Sequence, residues 1–222
     1  MASKDPILHN VILQVRFPPT QHDPKELKTL PSVFGVSFDG HQEIQGGARF
    51  TSSLEKPDAK EFTIRPDSLA LSIINPQGDT KYCMKIFEDI FTKAIKNLRL
   101  QLFLDQKYVI RKLLEADKGD ARQLIVESLA SKAGEKLKAF GNRPIHGIGV
   151  RIFLPPINEE RNALNVKIES FLPDPRLVFI EVEGVFYEPL QAMDSNVLTD
   201  RLARTNDFLD KNVLHFLRGG AP

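Results

Sequence analysis

The segment Val11-Ile-Leu-Gln-Val-Arg-Phe-Pro-Pro19 returns, in looser form, as Ile148-Gly-Val-Arg-Ile-Phe-Leu-Pro-Pro156. Each copy alternates apolar residues with a minority face that carries an arginine, and each stops at Pro-Pro. A period of two with β-branched residues is the pattern of a half-buried strand. Val11, Leu13, Val15 and Phe17 share one face of the first copy, and Ile148, Val150, Ile152 and Leu154 share one face of the second. Further strands and then an amphipathic helix follow both copies. The fold expected is therefore α+β: two antiparallel sheet-plus-helix halves, suggestive of an internal duplication, joined by a helical insert. The corresponding divisions are 1–100, a β-meander with a long helix; 101–143, the insert; and 144–222, strands with a terminal helix.

Working outward, residues 18–31 hold four prolines and read as a loop. Short strands are expected at Val33–Phe38, Glu43–Thr51, Glu61–Arg65 and Leu69–Ile74, separated by turn residues, with Gly46-Gly47 as a bulge. Asp79 or Thr80 caps the clearest helix. Its stripe of Tyr82, Cys83, Ile86, Phe87, Ile90, Phe91, Ala94, Ile95 and Leu98 is wide enough to lie across a sheet. Leu100–Leu104 fits either a strand or a helix continuation. The insert reads as two helices, Asp105–Ala116 and Ala121–Phe140, around a Lys118-Gly-Asp120 turn. Leu164–Ile168 and Leu177–Tyr187 form a hairpin. A last helix runs from Asn196 to about Arg218, with Leu198, Leu202, Leu209, Val213 and Phe216 inward.

Across 222 residues the formal net charge is +1, which gives no global attraction to nucleic acid or an anionic membrane. The charge is nevertheless uneven. Lys96 to Arg143 holds eleven Lys and Arg against six Asp and Glu, leaving nineteen against twenty-three elsewhere. A single cysteine, Cys83, excludes an intrachain disulfide framework and fits a reducing compartment. No signal-peptide pattern or membrane-spanning run is legible, so a soluble, cytoplasmic protein with no membrane partner is expected.

The candidate sites are few. Arg16 and Arg151 hold equivalent places in the two copies, and His146 stands just ahead of the second. If the halves pack about a pseudo-twofold axis, two guanidinium forks would meet in a shared groove suited to a carboxylate or phosphate. The alternative is that each arginine pairs with a sheet-face acid such as Glu181 or Glu183. Those two carboxylates, about 7 Å apart on one strand, have the spacing of an acid/base pair but also of an ordinary wet sheet face. In the insert, Arg111, Lys112, Lys118, Arg122, Lys132, Lys136 and Lys138 are candidate phosphate contacts, diluted by interleaved acids. The five histidines show no metal-ligand spacing. Gly147-Ile-Gly149 lacks the third glycine and the helix a phosphate loop needs. No catalytic residue, metal or cofactor is therefore assigned.

The Val-x-x-x-Val-Arg-Phe-Pro-Pro opening resembles the N-terminal signature of a sporadically distributed family of uncharacterised prokaryotic proteins. Gly147-Ile-Gly-Val-Arg-Ile152 resembles that family's mid-chain Gly-Leu-Arg-Tyr strand, with Ile152 where an aromatic residue is usual. The terminal helix, with Leu209-Asp210 and His215-Phe216, resembles its closing helix. The resemblance implies no established activity, and its patchy distribution points to mobile-element or defence-linked genes. The function expected is a non-enzymatic protein-binding module: an accessory, chaperone-like or antitoxin-like partner in a bacterial complex, or a homodimer. A small-ligand or enzyme site between the halves, and nucleic-acid binding through the insert, are the alternatives.

Overall fold

Backbone pairing gathers nine strands into one antiparallel sheet in a computed structural model that describes residues 5–34, 38–116, 119–129, 145–157, 161–192 and 194–218. In chain order the elements are β1 (Ile7–Arg16), α1 (Pro24–Phe34), β2 (Gly40–Ile44), β3 (Gly47–Thr51), β4 (Ala59–Arg65), β5 (Ser68–Ile74) and α2 (Thr80–Leu98). Then come β6 (Leu102–Phe103), β7 (Asp105–Glu115), α3 (Ala121–Leu129), β8 (Gly149–Leu154), β9 (Asn162–Ser170), β10 (Leu177–Phe186) and β11 (Leu190–Gln191). The chain closes with α4 (Ser195–Phe208), a π-helical turn at Leu209–Val213, and α5 (Leu214–Leu217). The large sheet runs β2-β3-β4-β5-β1-β7-β10-β9-β8, and β11 pairs separately with β6.

Register explains where the core sits. One row across the sheet reads His41, Phe50, Phe62, Leu71, Leu13, Tyr108, Gly184, Leu164, Leu154, a residue from each strand. Partners in an antiparallel ladder point to the same side. This row and its neighbours through Val11, Ile110 and Val182 therefore define an inner face. The helices pack on it: α2 lies against β1, α1 and α4, while α4 also meets β7 and β10, and α3 rests on β9 and β10. No described helix packs on the opposite face of the sheet, which is called the open face below.

The α+β class and antiparallel pairing read from the sequence are present, and the long helix α2 is capped as expected, Asp79 accepting from the Tyr82 N–H at 2.9 Å. Its buried side, from Cys83 to Leu98, includes Phe87 and Phe91. Phe91 meets Phe62 edge-on at 6.2 Å, and Phe62 meets Phe34 of α1 at 5.2 Å. Aromatic pairs of this geometry add about 0.5–1.5 kcal/mol beyond their buried area.

Several local expectations are overturned. Asp105–Ala116 is not a helix: Asp105–Glu115 is β7, hydrogen-bonded to β1 on one side and β10 on the other. Gln106, Tyr108, Ile110, Lys112 and Leu114 face the core, but Val109 on the open face is also buried. A central strand with apolar residues on both faces loses its clean period of two. With β7 between them, strands from 1–100 and 144–222 belong to one sheet. The two echo strands are not placed alike, since β1 lies between β5 and β7 whereas β8 is an edge.

Residues 24–34, expected as loop and strand, form α1. Pro24 occupies its first position, where a missing N–H costs nothing, and Leu27, Leu30 and Phe34 are buried. Gly46-Gly47 does not bulge a strand. Gly46, at φ 68°, turns the chain between β2 and β3, and a Cβ on Gly47 would lie 2.0 Å from the Ile64 carbonyl oxygen. At the C-terminus, the π-helical turn shifts the helical phase, so Leu214 and Leu217 face inward and Phe216 is 41% exposed. The expected helix Ala121–Phe140 is described only as far as Leu129.

Cys83 has no exposed surface, and burial is the main cause that pushes its thiol up to about 12. An unfolded-chain thiol titrates near about 8.5. Between those values the native state keeps a proton the unfolded state has lost, so stability falls as pH rises. The contribution is whole below about pH 8.5 and drains through the alkaline range. Urea unfolding measured from neutral to alkaline pH is expected to show a steeper decline for the natural chain than for Cys83→Ala. Equal slopes would contradict the assignment.

Candidate functional site

The open face is a lattice of paired charges. Arg16, at the end of β1, is bonded to Asp105 directly opposite on β7. Arg111 Nε donates to Glu181 Oε2 at 2.7 Å, and Lys107 Nζ lies 2.7 Å from Glu183 Oε2. Each carboxylate of the Glu181/Glu183 pair thus faces its own cation. Arg111 also donates to Asn10 Oδ1 at 3.3 Å, and the Asn10 amide is fixed on the Ile73 carbonyl at 3.0 Å.

Arg16 and Arg151 do not share a groove. The row holding Arg151 passes through Lys167, Glu181 and Arg111 to Asn10, so it meets β1 six residues from Arg16. Four strand spacings and six residue rises separate the two arginines by roughly 25–30 Å. The alternative holds for Arg16, whose acid is Asp105 rather than Glu181 or Glu183. Arg151 is exposed, with no ionic partner among the described residues. His146 is exposed and precedes a groove of about 410 Å³ lined by Gly147, Gly149, Phe171, Leu172 and Phe179.

The insert's described candidate cations are occupied. Lys112 is a core-facing residue of β7 whose Nζ reaches Asp210 in the π-helical turn at 2.6 Å. Arg122 is doubly bonded to Asp120 and donates to the Ile145 carbonyl at 2.7 Å. With Arg111 held by Glu181, three candidate phosphate contacts already have carboxylates. Lys118, Lys132, Lys136 and Lys138 lie outside the described residues. Among the described residues, no three of His, Cys, Asp and Glu gather as metal ligands, and no helix is long and apolar enough to cross a membrane.

Two features stand out beyond this lattice. The first is the outer edge of β8. Ile148 O accepts from Ser170 N at 2.9 Å, so by alternation Val150, Ile152 and Leu154 turn their backbone groups toward β9. The N–H and C=O groups of Gly149, Arg151 and Phe153 then point away, and no described strand pairs with them. Phe153 is 61% exposed and Ile157 59%.

The second is a cavity of about 580 Å³ on the inner face, between α4 and the ends of β9 and β10. Arg201 is buried in its wall, stacked 5.0 Å over the Phe186 ring. Its Nη1 donates to Gln106 Oε1, and its Nη2 donates to Glu188 Oε2 at 3.3 Å. Arg161, Arg204 and Lys211 also line the cavity. Sequence reading missed this region, although two signals mark it. Arg201 falls on the apolar stripe between Leu198 and Leu202, and Gly184 interrupts the inward series Ile180, Val182, Phe186. Glycine at an inward strand position signals close approach by another element. Here that element is α4.

A Cβ on Gly184 would lie 2.7 Å from Thr205 Oγ1, which is tied down by donating to the Arg201 carbonyl at 2.9 Å. Gly184→Ala is expected to cost about 1–3 kcal/mol by urea denaturation, and much less in a Thr205→Ala background. Equal costs in both backgrounds would exclude this contact as the cause. Nearby, the Tyr108 hydroxyl is fully buried without a hydrogen-bond partner among the described residues. Tyr108→Phe is therefore expected to leave stability unchanged or raise it by up to about 1 kcal/mol; a loss beyond that would require a hidden partner. No protein-family model matches this chain, and no curated protein is significantly similar to it.

Proposed function

We propose that this protein is a non-enzymatic protein-binding module that works by strand addition at β8, with a second copy of itself as the occupant. The observation that carries the reading is the outer edge of β8, where backbone groups that no described strand pairs stand beside exposed Phe153 and an Arg151 with no acid among the described residues. An open edge of this kind is a template for another strand. Two copies of β8 would pair antiparallel about a twofold axis. Centring the axis on Arg151 would oppose two like charges. Centring it on Ile152 sets each Arg151 across from Phe153 of the second copy, a cation–aromatic pairing, and matches the outward-pointing backbone groups of both strands. Pro155-Pro156 then limits the pairing length, because proline has no N–H to add.

The other edge of the sheet is less suited. β2 is Gly-His-Gln-Glu-Ile, short, polar and charged. A non-catalytic role accords with the open face, whose cations and carboxylates largely neutralise each other. A cytoplasmic location is part of the same reading, supported by the single buried thiol of Cys83.

The test is sedimentation of the 25.0 kDa chain. A species of twice that mass is expected, and Phe153→Pro is expected to give a monomer with unaltered circular dichroism, since its lost N–H faces outward. A wild-type monomer at about 100 µM, where a specific micromolar contact would be filled, would overturn the proposal. So would a dimer that Phe153→Pro leaves intact.

A further inference from the structure

We infer that the cavity between α4 and the inner face of β9 and β10 is a binding site for a small molecule bearing an oxyanion, carboxylate or phosphate, on an apolar body. Its volume, about 580 Å³, is that of a small-molecule site. The walls combine two chemistries. Leu164, Phe186, Val197 and Phe208 supply apolar surface, while Arg161, Arg201 and Arg204 supply three guanidinium groups.

The state of each cation makes the case. Arg201 is a preorganised donor: the residue is 8% exposed, its plane rests on Phe186, and Gln106 fixes one nitrogen. Its carboxylate neighbour, Glu188, stands at 3.3 Å and is shared with Arg161 at 3.8 Å, so two guanidiniums divide one loosely held acid. Arg204, one turn further along α4, is exposed and has no hydrogen bond or ion pair among the described residues. Lys211, by contrast, is taken by Asp207 at 2.6 Å. An incoming oxyanion would complete the set that Glu188 leaves short. Planar guanidinium forks favour bidentate carboxylate or phosphate over a spherical ion. Asp200, also on the wall, opposes a second anionic group, which points to a ligand with one charged end and an apolar end over Phe186 and Phe208.

Gly184 is what keeps the cavity its present depth. Without a Cβ there, Thr205 seats against the sheet and α4 holds Arg201 and Arg204 at a fixed height above β9 and β10. The site is on the opposite side of the sheet from Arg16, Arg151 and the charge lattice, and it is separate from the strand edge assigned to dimerisation.

The experiment is calorimetric titration of the full chain with three probes: benzoate, phenyl phosphate and neutral benzyl alcohol. Saturable binding of at least one anion, none of the alcohol, and a loss of about tenfold or more in affinity in Arg204→Ala are expected. Which anion binds more tightly distinguishes a carboxylate from a phosphate ligand. Arg204 is exposed, so its replacement leaves the fold intact, and Arg204→Lys should recover part of the affinity. The inference is overturned if neither anion binds below about 10 mM, the weak limit of specific small-ligand contacts. It is equally overturned if the alcohol binds as well as the anions, or if Arg204→Ala binds them like the natural chain.

Discussion

β7 is hydrogen-bonded along nearly its whole length on both sides, to β1 from Ile7 to Arg16 and to β10 from Leu177 to Phe186. On one side of it lie β2 to β5 and β1; on the other lie β10, β9 and β8. Among the described residues those two groups share no other sheet contact. The inner residues of β7, Tyr108, Ile110 and Leu114, are buried beneath the helix layer, and its core-facing Lys112 reaches Asp210 beyond α4. A lysine there is costly to desolvate, and removing its acid would cost more than either partner contributes alone. Because Arg201 ties α4 to Gln106 of β7, and Lys112 holds the π-helical turn that follows, the central strand also fixes the helix that forms the cavity.

The two faces of the sheet answer to different physics. On the inner face, apolar rows continue from strand to strand and the helices complete them. On the open face, cross-strand charge pairs contribute about 0.2–1 kcal/mol each, and their fields cancel in pairs. Such a surface has little reason to adhere broadly to anything. The β8 edge carries backbone groups that no described strand pairs, and the inner cavity sets Arg161, Arg201, Arg204 and Lys211 against Glu188, Asp200 and Asp207.

Much of this arrangement was legible in the residues, and the failures have identifiable causes. The alternation at Val11–Phe17 and the wide stripe of α2 each have one dry and one wet side, so their periods survive. β7 is central and has buried side chains on both faces, including Val109, so neighbouring apolar residues imitate a helix. α1 was hidden by Pro24, which the helix tolerates at its first position, and by Pro31 within it, and the π-helical turn moved the terminal stripe by one position. The site was harder still. Arg16 and Arg151 look equivalent only while strand order is unknown; once β1 is interior and β8 is an edge, the equivalence is confined to local pattern. Arg201 and Gly184 were visible as exceptions within their own periods, but their meaning depends on which helix crosses which strand.

The position of β1 has a consequence for synthesis. It is made before both of its neighbours, β5 and β7, which lie about sixty and one hundred residues further along. At ribosomal rates of about 5–20 residues per second, β1 waits roughly 5–20 s for its second partner. During that interval Val11, Leu13 and Val15 have no finished core to enter, and the nascent chain carries an unpaired apolar strand. The β2–β5 meander can form locally in the meantime and offer β5 as a first template. Closure around β7 then comes late, so the early life of this chain depends on how well that partial sheet shields β1 from its neighbours on the ribosome.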